Sequence, residues 1–289
     1  MTYEEFWKPL AGQYDDGEAK AITRMVLDME FGLSMTDILC DKVTQLSADE
    51  SQKLKKIHER LMAGEPVQYV LGKEVFYGRT FLLTPDVLIP RPETAELCQW
   101  IISEFENPHS IPSPIRILDV GTGSGCIAIT LTLEIANTQT WAWDISENAL
   151  HIAQRNAQLL GADISFKKCD VLSPENTSSQ SHSSSPLQYD IIVSNPPYIC
   201  PIEKGLMNKN VLEHEPHIAL FVPEENPLLF YHAISQMASQ CLSPHGMLYF
   251  EINPIYAQQL KEIITETGFE EVIIKKDIFG KQRFIKAVK

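Results

Sequence analysis

The chain begins with apolar residues at helical spacing. Ala19, Ile22, Met25, Val26 and Met29 recur every three or four positions, which places them on one face of an α-helix. A second helix is announced by Ser47-Ala48-Asp49-Glu50, a Ser followed three residues later by Glu, the pattern of a capping box. Its stripe is Leu54, Ile57 and Leu61, and Gly64 with Pro66 ends it. The pattern then changes period. Val75 to Leu83 is rich in β-formers around Gly78, which predicts a hairpin. Beyond it, short apolar runs alternate with helical stretches. Strands are predicted at 116–120, 140–145, 164–170, 190–195, 246–252 and 271–277. Such alternation predicts an α/β domain with a mostly parallel sheet and helices on both faces. Phe279-Gly280-Lys281-Gln282 leaves too little chain for a crossover, so the last strand is predicted to run antiparallel to its predecessor. The expected organisation is a small all-α domain over 1–72, a β-hairpin connector over 73–90, and the α/β domain over 91–289.

Composition narrows the class. The chain has 289 residues, 44% hydrophobic and 21% charged, in the ordinary range of a globular protein. A net charge of -14 argues against sequence-independent binding to a phosphate backbone, which needs a basic footprint, so no direct nucleic-acid binding is expected. Six scattered cysteines with no CxxC pair point away from a zinc site or redox dithiol and toward reduced thiols. Met1-Thr2-Tyr3-Glu4-Glu5 is acidic and lacks the apolar core of a signal peptide, and no run reaches the length of a membrane span. A cytoplasmic protein without a membrane partner is expected. Residues 173–186, of which seven of fourteen are serine, read as a surface loop.

Four residues carry the most chemistry. Asn195-Pro196-Pro197-Tyr198 follows the apolar run Asp190–Ser194. Prolines fix the backbone and push the residue before them into an extended conformation, so Asn195 is held. Prolines also lack a backbone N–H and offer only carbonyl acceptors. With the flat face of Tyr198, these residues make a slot for a planar NH2 group. Upstream, Gly121-Thr122-Gly123-Ser124-Gly125 follows the first sheet strand, where glycines allow close approach of a ligand. Asp144 ends the second predicted strand and can accept hydrogen bonds from a ribose diol. Asp170 and Val171 lie at a third strand end, where an adenine could sit. All four strand ends open on the carboxyl edge of the sheet, the ligand-binding edge of open α/β folds. A nucleoside-bearing cofactor beside an amide-sized slot fits S-adenosylmethionine better than a nicotinamide cofactor, whose hydride transfer has no use for an NH2 grip. His214-Glu215-Pro216-His217 has the wrong spacing for a helical metal motif, and no metal is expected. Cys126 and Cys200 read as small apolar fillers.

These residues resemble a known family. The glycine loop, Asp144 and Asn195–Tyr198 are similar to class I S-adenosylmethionine-dependent methyltransferases with a Rossmann-like seven-stranded sheet. Glu65–Gly72, Leu88–Thr94, Val193–Ile199 and Asp277–Arg283 narrow the likeness to the peptide chain release factor glutamine methyltransferases of the HemK/PrmC type, over nearly the whole chain. Pro90-Arg91-Pro92-Glu93-Thr94 is the most specific stretch. The resemblance implies that the substrate is the glutamine of the Gly-Gly-Gln loop of bacterial class 1 release factors. It implies that Gly121–Gly125, Asp144, Asp170, Val171 and Asn195 hold the cofactor. It implies that Asn195, Pro196, Pro197 and Tyr198 grip the amide, with Asn195, Pro196 and Tyr198 catalytic. It also gives the 1–72 domain a part in substrate recognition, and makes Arg91 and Glu93 either a connector ion pair or part of a lid. Asn253-Pro254 after Glu251-Ile252, and Val222–Pro227, depart from the family pattern. Asn-Pro-Pro-Tyr is shared with enzymes that methylate exocyclic base nitrogens, so a DNA or RNA adenine amino-methyltransferase is the alternative; it would flip a base into the same slot.

Overall fold

The computed structural model describes residues 1–105, 114–173 and 188–289; most of the serine-rich stretch, 174–186, lies outside them. The chain divides into two compact units, Met1–Lys73 with Met207–His214, and Glu74–Leu206 with Glu215–Lys289.

The helical unit holds α1 (Tyr3–Leu10), α2 (Asp16–Phe31), α3 (Met35–Leu39), α4 (Ala48–Met62) and α5 (Val67–Leu71). Ala19, Ile22 and Val26 of the first stripe and Leu54, Ile57 and Leu61 of the second lie in one buried cluster with Phe6, Leu10 and Leu27, whereas Met25 is only partly buried against it. The capping box of α4 is present, with the Glu50 N–H donating to Ser47 Oγ and the Ser47 N–H donating to Glu50 Oε2 at 2.8 Å. Arg60 closes the far end by donating to the carbonyls of Val70 and Tyr69 at 3.0 and 3.2 Å while pairing with Glu65.

The predicted hairpin is β1 (Lys73–Phe76) and β2 (Arg79–Leu82). Its two turn residues, Tyr77 and Gly78, have φ of 47° and 73°, the positive values that a type I′ turn requires at both positions.

The sheet has seven strands: β3 (Ile115–Val120), β4 (Thr138–Asp144), β5 (Ile164–Lys168), β6 (Tyr189–Ser194), β7 (Leu242–Glu251), β8 (Glu271–Lys276) and β9 (Gln282–Val288), in spatial order β5-β4-β3-β6-β7-β9-β8. Strands β3 to β7 pair in parallel, whereas β9 is antiparallel to both β7 and β8, as the short β8–β9 connection requires. Alternation along each strand builds two cores. Leu118, Ile192, Leu248 and Phe250 face Tyr231, Ile234 and Leu260 of the helices Leu229–Cys241 and Ala257–Glu266. Ile117, Ile191, Val193 and Tyr249 face the opposite layer, formed by α6 (Pro92–Ser103) and α7 (Cys126–Glu134), with α8 (Glu147–Leu160) at its edge.

Strand order reverses between β3 and β6: from β3 the chain winds outward through β4 and β5, and from β6 through β7. The carboxyl ends of β3 and β6 therefore flank a crevice, the place where open α/β sheets bind ligands. Ser194 Oγ donates to the Val120 carbonyl at 2.6 Å and ties the two strand ends together.

Candidate active site

That crevice is an open cavity of about 250 Å³. Its floor is the Gly121–Gly125 loop between β3 and α7. Gly121 and Gly123 have φ of 76° and 55°, and a side-chain carbon on either would meet nothing within 4 Å; bare backbone thus faces open space. Gly125 has another function. At φ 82° a Cβ there would stand 3.2 Å from Ala153 Cβ and 3.0 Å from Ile129 Cδ1, so it permits close packing of α8 on the start of α7. Gly125→Ala is expected to lower stability by about 1–2 kcal/mol from the left-handed backbone alone, read by denaturant titration; an unchanged midpoint would contradict that cost.

The end of β4 pins this loop. The Gly121 and Thr122 N–H groups donate to the Trp143 carbonyl at 2.8 and 3.0 Å. Asp144 Oδ2 accepts from the Gly123 N–H and Oδ1 from the Ser146 N–H, both at 2.9 Å. Burial pushes the Asp144 carboxyl above the ordinary aspartate range, and these backbone donors pull it back. Asp170 lies two residues beyond β5, with Oδ1 accepting from the Leu172 N–H at 2.9 Å, and Val171 follows it on the cavity wall.

Beneath the loop, Asp119 is fully buried. Its Oδ2 accepts from Thr122 Oγ1 at 2.6 Å and from the Ala128 N–H at 3.2 Å, while Oδ1 has no partner. Burial raises this carboxyl to about 7. Between 3.8, its ordinary value, and about 7 the folded protein holds a proton that the unfolded chain has lost. Stability therefore falls as pH rises through that window and levels off above it. At about 1.4 kcal/mol per pH unit the full effect approaches about 4 kcal/mol. Asp119→Asn is expected to flatten this slope in urea titrations from pH 5 to 8, and an unchanged slope would remove Asp119 as its source.

The opposite wall is Asn195-Pro196-Pro197, leaving the end of β6. Asn195 Nδ2 donates to Glu251 Oε2 at 3.0 Å and to Thr94 Oγ1 at 3.2 Å. The amide nitrogen is thus turned away, and the amide oxygen is the group left to accept from a ligand. Tyr198 does not line the cavity. Its hydroxyl donates to Glu251 Oε1 at 3.2 Å and its ring packs on the sheet core. Burial, and then the nearby Glu251 charge, push the Tyr198 hydroxyl upward, so it remains a donor.

Glu251, at the end of β7, is 1% exposed and collects these donors. Thr94 Oγ1 also donates to Oε2, at 2.6 Å. Burial pushes the Glu251 carboxyl up, while the Thr94 hydrogen bond, the Arg283 charge and the Tyr198 hydrogen bond act against that rise. Sequence reading missed Glu251 as a site residue, because it sits at the end of an apolar run and its partners are 56 and 157 residues away.

Arg91 pairs with Glu215 at 2.5 Å rather than with Glu93, and the Glu215 side chain is 1% exposed. The Ile89 N–H donates to the other oxygen of Glu215 at 3.4 Å. This pair joins two cavity walls, Pro90–Arg91 and Ile218–Ala219, and gives Glu215 a structural partner within its His-Glu-Pro-His setting. Cys126 also lines the cavity, with burial pushing its thiol up to about 12, which keeps it neutral. Phe230 and Ile234, outside any motif in the sequence, complete the apolar wall.

Asn253, one of the departures noted in the sequence, donates through Nδ2 to the Tyr198 carbonyl at 3.3 Å and to Glu203 at 3.2 Å. It braces the exit of the Asn-Pro-Pro-Tyr loop.

A glycine loop, an acidic strand end and an Asn195-Pro196-Pro197 wall meet at one switch point, and the chain is a methyltransferase: the family model for the methyltransferase small domain matches residues 99–214. The PrmC N-terminal domain model matches residues 9–72. The chain is 44% identical to the release factor glutamine methyltransferase of Bacteroides thetaiotaomicron, over 95% of this chain and 94% of that one. Identity is 39% with the enzyme of that name from Flavobacterium psychrophilum, over 98% and 96%, and 35% with that from Bacillus subtilis, over 94% and 92%. The chain belongs to the release factor glutamine methyltransferase family, as its motifs led one to expect. Among solved structures, the human methyltransferase 10 domain containing protein superposes with a TM-score of 0.52 at 17% identity, covering 73% of this chain and 88% of that one. The Thermus thermophilus 16S rRNA N2 G1207 methyltransferase gives 0.51 at 16% identity, over 75% and 49%. These two likenesses concern the fold alone. Among the described residues, no helix is long and apolar enough to cross a membrane.

Proposed function

We propose that this protein methylates the side-chain amide nitrogen of the glutamine in the Gly-Gly-Gln motif of bacterial class 1 peptide chain release factors, with S-adenosylmethionine as the methyl donor. The observation that carries the reading is the orientation of Asn195: with Nδ2 held by Glu251 and Thr94, the side chain offers an acceptor oxygen on the cavity wall. The names of relatives that align end to end support the same substrate.

The residues present fit the cofactor. Open space over Gly121 and Gly123 admits close approach of a ligand to bare backbone. In this reading Gly121–Gly125 cradle its methionine part, Asp144 takes the ribose hydroxyls, and Asp170 and Val171 take the adenine. When bound, S-adenosylmethionine supplies an electrophilic methyl group on a sulfonium.

The chain's task is to make a poor nucleophile presentable. A carboxamide nitrogen is weak because its lone pair is delocalised into the carbonyl. The Asn195 amide oxygen and the Pro196 carbonyl accept its two N–H bonds. That pair of acceptors orients the nitrogen and favours the positive charge developing on it, so positioning and electrostatics carry the rate. No base is needed before transfer, because the proton can leave afterwards. Tyr198 acts from behind the wall, through Glu251. We assign the helical unit the recognition of the release factor beyond the reacting loop.

The test is mass spectrometry of a release factor and of a DNA duplex, each incubated with the enzyme and S-adenosylmethionine. One added methyl group on the Gly-Gly-Gln glutamine is expected. An unmodified release factor beside methylated adenine would overturn the proposal in favour of the base-modifying alternative.

A further inference from the structure

We propose that Glu251, a positioning residue outside the cavity wall, fixes the polarity of the Asn195 amide and so makes the site select an NH2 group over an oxygen in the same place. The inference rests on the amide-substrate reading above and adds a cause for the discrimination between glutamine and glutamate.

The two ends of an asparagine amide have nearly the same shape and opposite hydrogen-bonding character. One end donates twice and the other only accepts. Packing alone therefore cannot hold the oxygen toward the cavity; a neighbour of fixed polarity must. Glu251 is such a neighbour: Oε2 already accepts from Thr94 Oγ1 at 2.6 Å and Oε1 from the Tyr198 hydroxyl at 3.2 Å, so it meets Asn195 as an acceptor. Glu251 Oε2 stands 3.0 Å from Asn195 Nδ2, so a rotated amide would set oxygen against oxygen in a buried place. Thr94 supplies a second lock. Its hydroxyl proton is committed to Glu251 Oε2 at 2.6 Å, so it meets Asn195 Nδ2, at 3.2 Å, with a lone pair. Tyr198 donates to Oε1, so donors reach both carboxylate oxygens. The result is one acceptor oxygen of defined direction on the wall. It attracts an N–H and repels the oxygen of a carboxylate.

The experiment compares the wild-type protein with Glu251→Gln, which keeps size and shape but carries a donor as well as an acceptor. Turnover and KM are measured with a release factor, the inhibition constant with the same factor carrying glutamate in place of the Gly-Gly-Gln glutamine, and S-adenosylmethionine affinity by calorimetry. Turnover is expected to fall about 10-fold or more, the scale of one misdirected buried hydrogen bond. Preference for glutamine over glutamate should fall by a similar factor, with cofactor affinity unchanged. A purely structural loss would lower cofactor binding as well and leave the preference intact. Unchanged turnover and unchanged preference in Glu251→Gln would overturn the inference, whereas a wild-type protein that leaves the glutamine unmodified would overturn the substrate reading instead.

A second variant pair guards against misfolding. Asn195→Asp alone sets two carboxylates together and should be nearly inactive. Combined with Glu251→Gln, the amide at position 251 can donate to the carboxylate at position 195, whose other oxygen again presents an acceptor to the cavity. Recovery of about 10-fold or more over the single variant is expected. No recovery in a folded double variant would overturn the inference.

Discussion

Asn195→Ala is expected to lower turnover about 100–1,000-fold, the range seen when one preorganised polar group facing developing charge is removed, with little change in the dissociation constant for S-adenosylmethionine. The side chain holds no part of the glycine loop: its nitrogen is bound to Glu251 and Thr94, and its oxygen is the free acceptor of the wall. Removing it leaves the floor intact, where Asp144 and Trp143 continue to pin Gly121–Gly123. Single-turnover methyl transfer to a release factor, paired with calorimetry of cofactor binding, separates the two effects. A variant with full turnover would take Asn195 out of the chemistry.

Asp144→Ala is expected to do the reverse and weaken cofactor binding by roughly 10–100-fold, the scale of hydrogen bonds to a charged group. Two losses combine there. The acceptor proposed for the ribose hydroxyls disappears, and so does the brace on the Gly123 and Ser146 N–H groups. Asp144→Asn keeps an acceptor oxygen and should lie between the wild type and Asp144→Ala. Because burial raises the Asp144 carboxyl, acidification should weaken cofactor binding at a higher pH than an exposed aspartate would give. Equal binding by Asp144→Ala and wild type in calorimetry would remove Asp144 from the cofactor site.

Much of the fold was legible because the signals are local. Helical spacing in α2, the Ser47–Glu50 box and the positive-φ turn at Gly78 each involve residues a few positions apart. The sheet edge was legible as well, since in a parallel sheet every strand ending near a ligand ends on the same side. Gly121, Asp144, Asp170 and Asn195 could thus be grouped without coordinates, and all four line the cavity. What could not be read were pairings across the fold. Glu251 meets Thr94 across 157 residues, and Arg91 meets Glu215 across 124. A glutamate at the end of Leu248-Tyr249-Phe250 looks like the solvated cap of a strand, and only the neighbouring strand order makes it the centre of a buried cluster. The placement of Tyr198 was hidden for the same reason: an aromatic beside prolines reads as a face for stacking until a buried acceptor is found for its hydroxyl.

The position of β9 bears on how the site comes into being during synthesis. Strand β7 carries Glu251 at its tip, and its outer neighbour is β9, formed by Gln282–Val288. Phe284 sits beside Glu251 in that pairing, and the Ile252 N–H donates to the Arg283 carbonyl at 2.8 Å. Until residues 282–288 have been made, one flank of β7 is an open edge with unpaired backbone groups, a state prone to wrong pairing. The glycine loop and the ends of β4 and β6 are made long before. Strand β7, with Glu251 at its tip, is therefore paired on both sides only after the residues of the glycine loop and of the β4 and β6 ends have been synthesised.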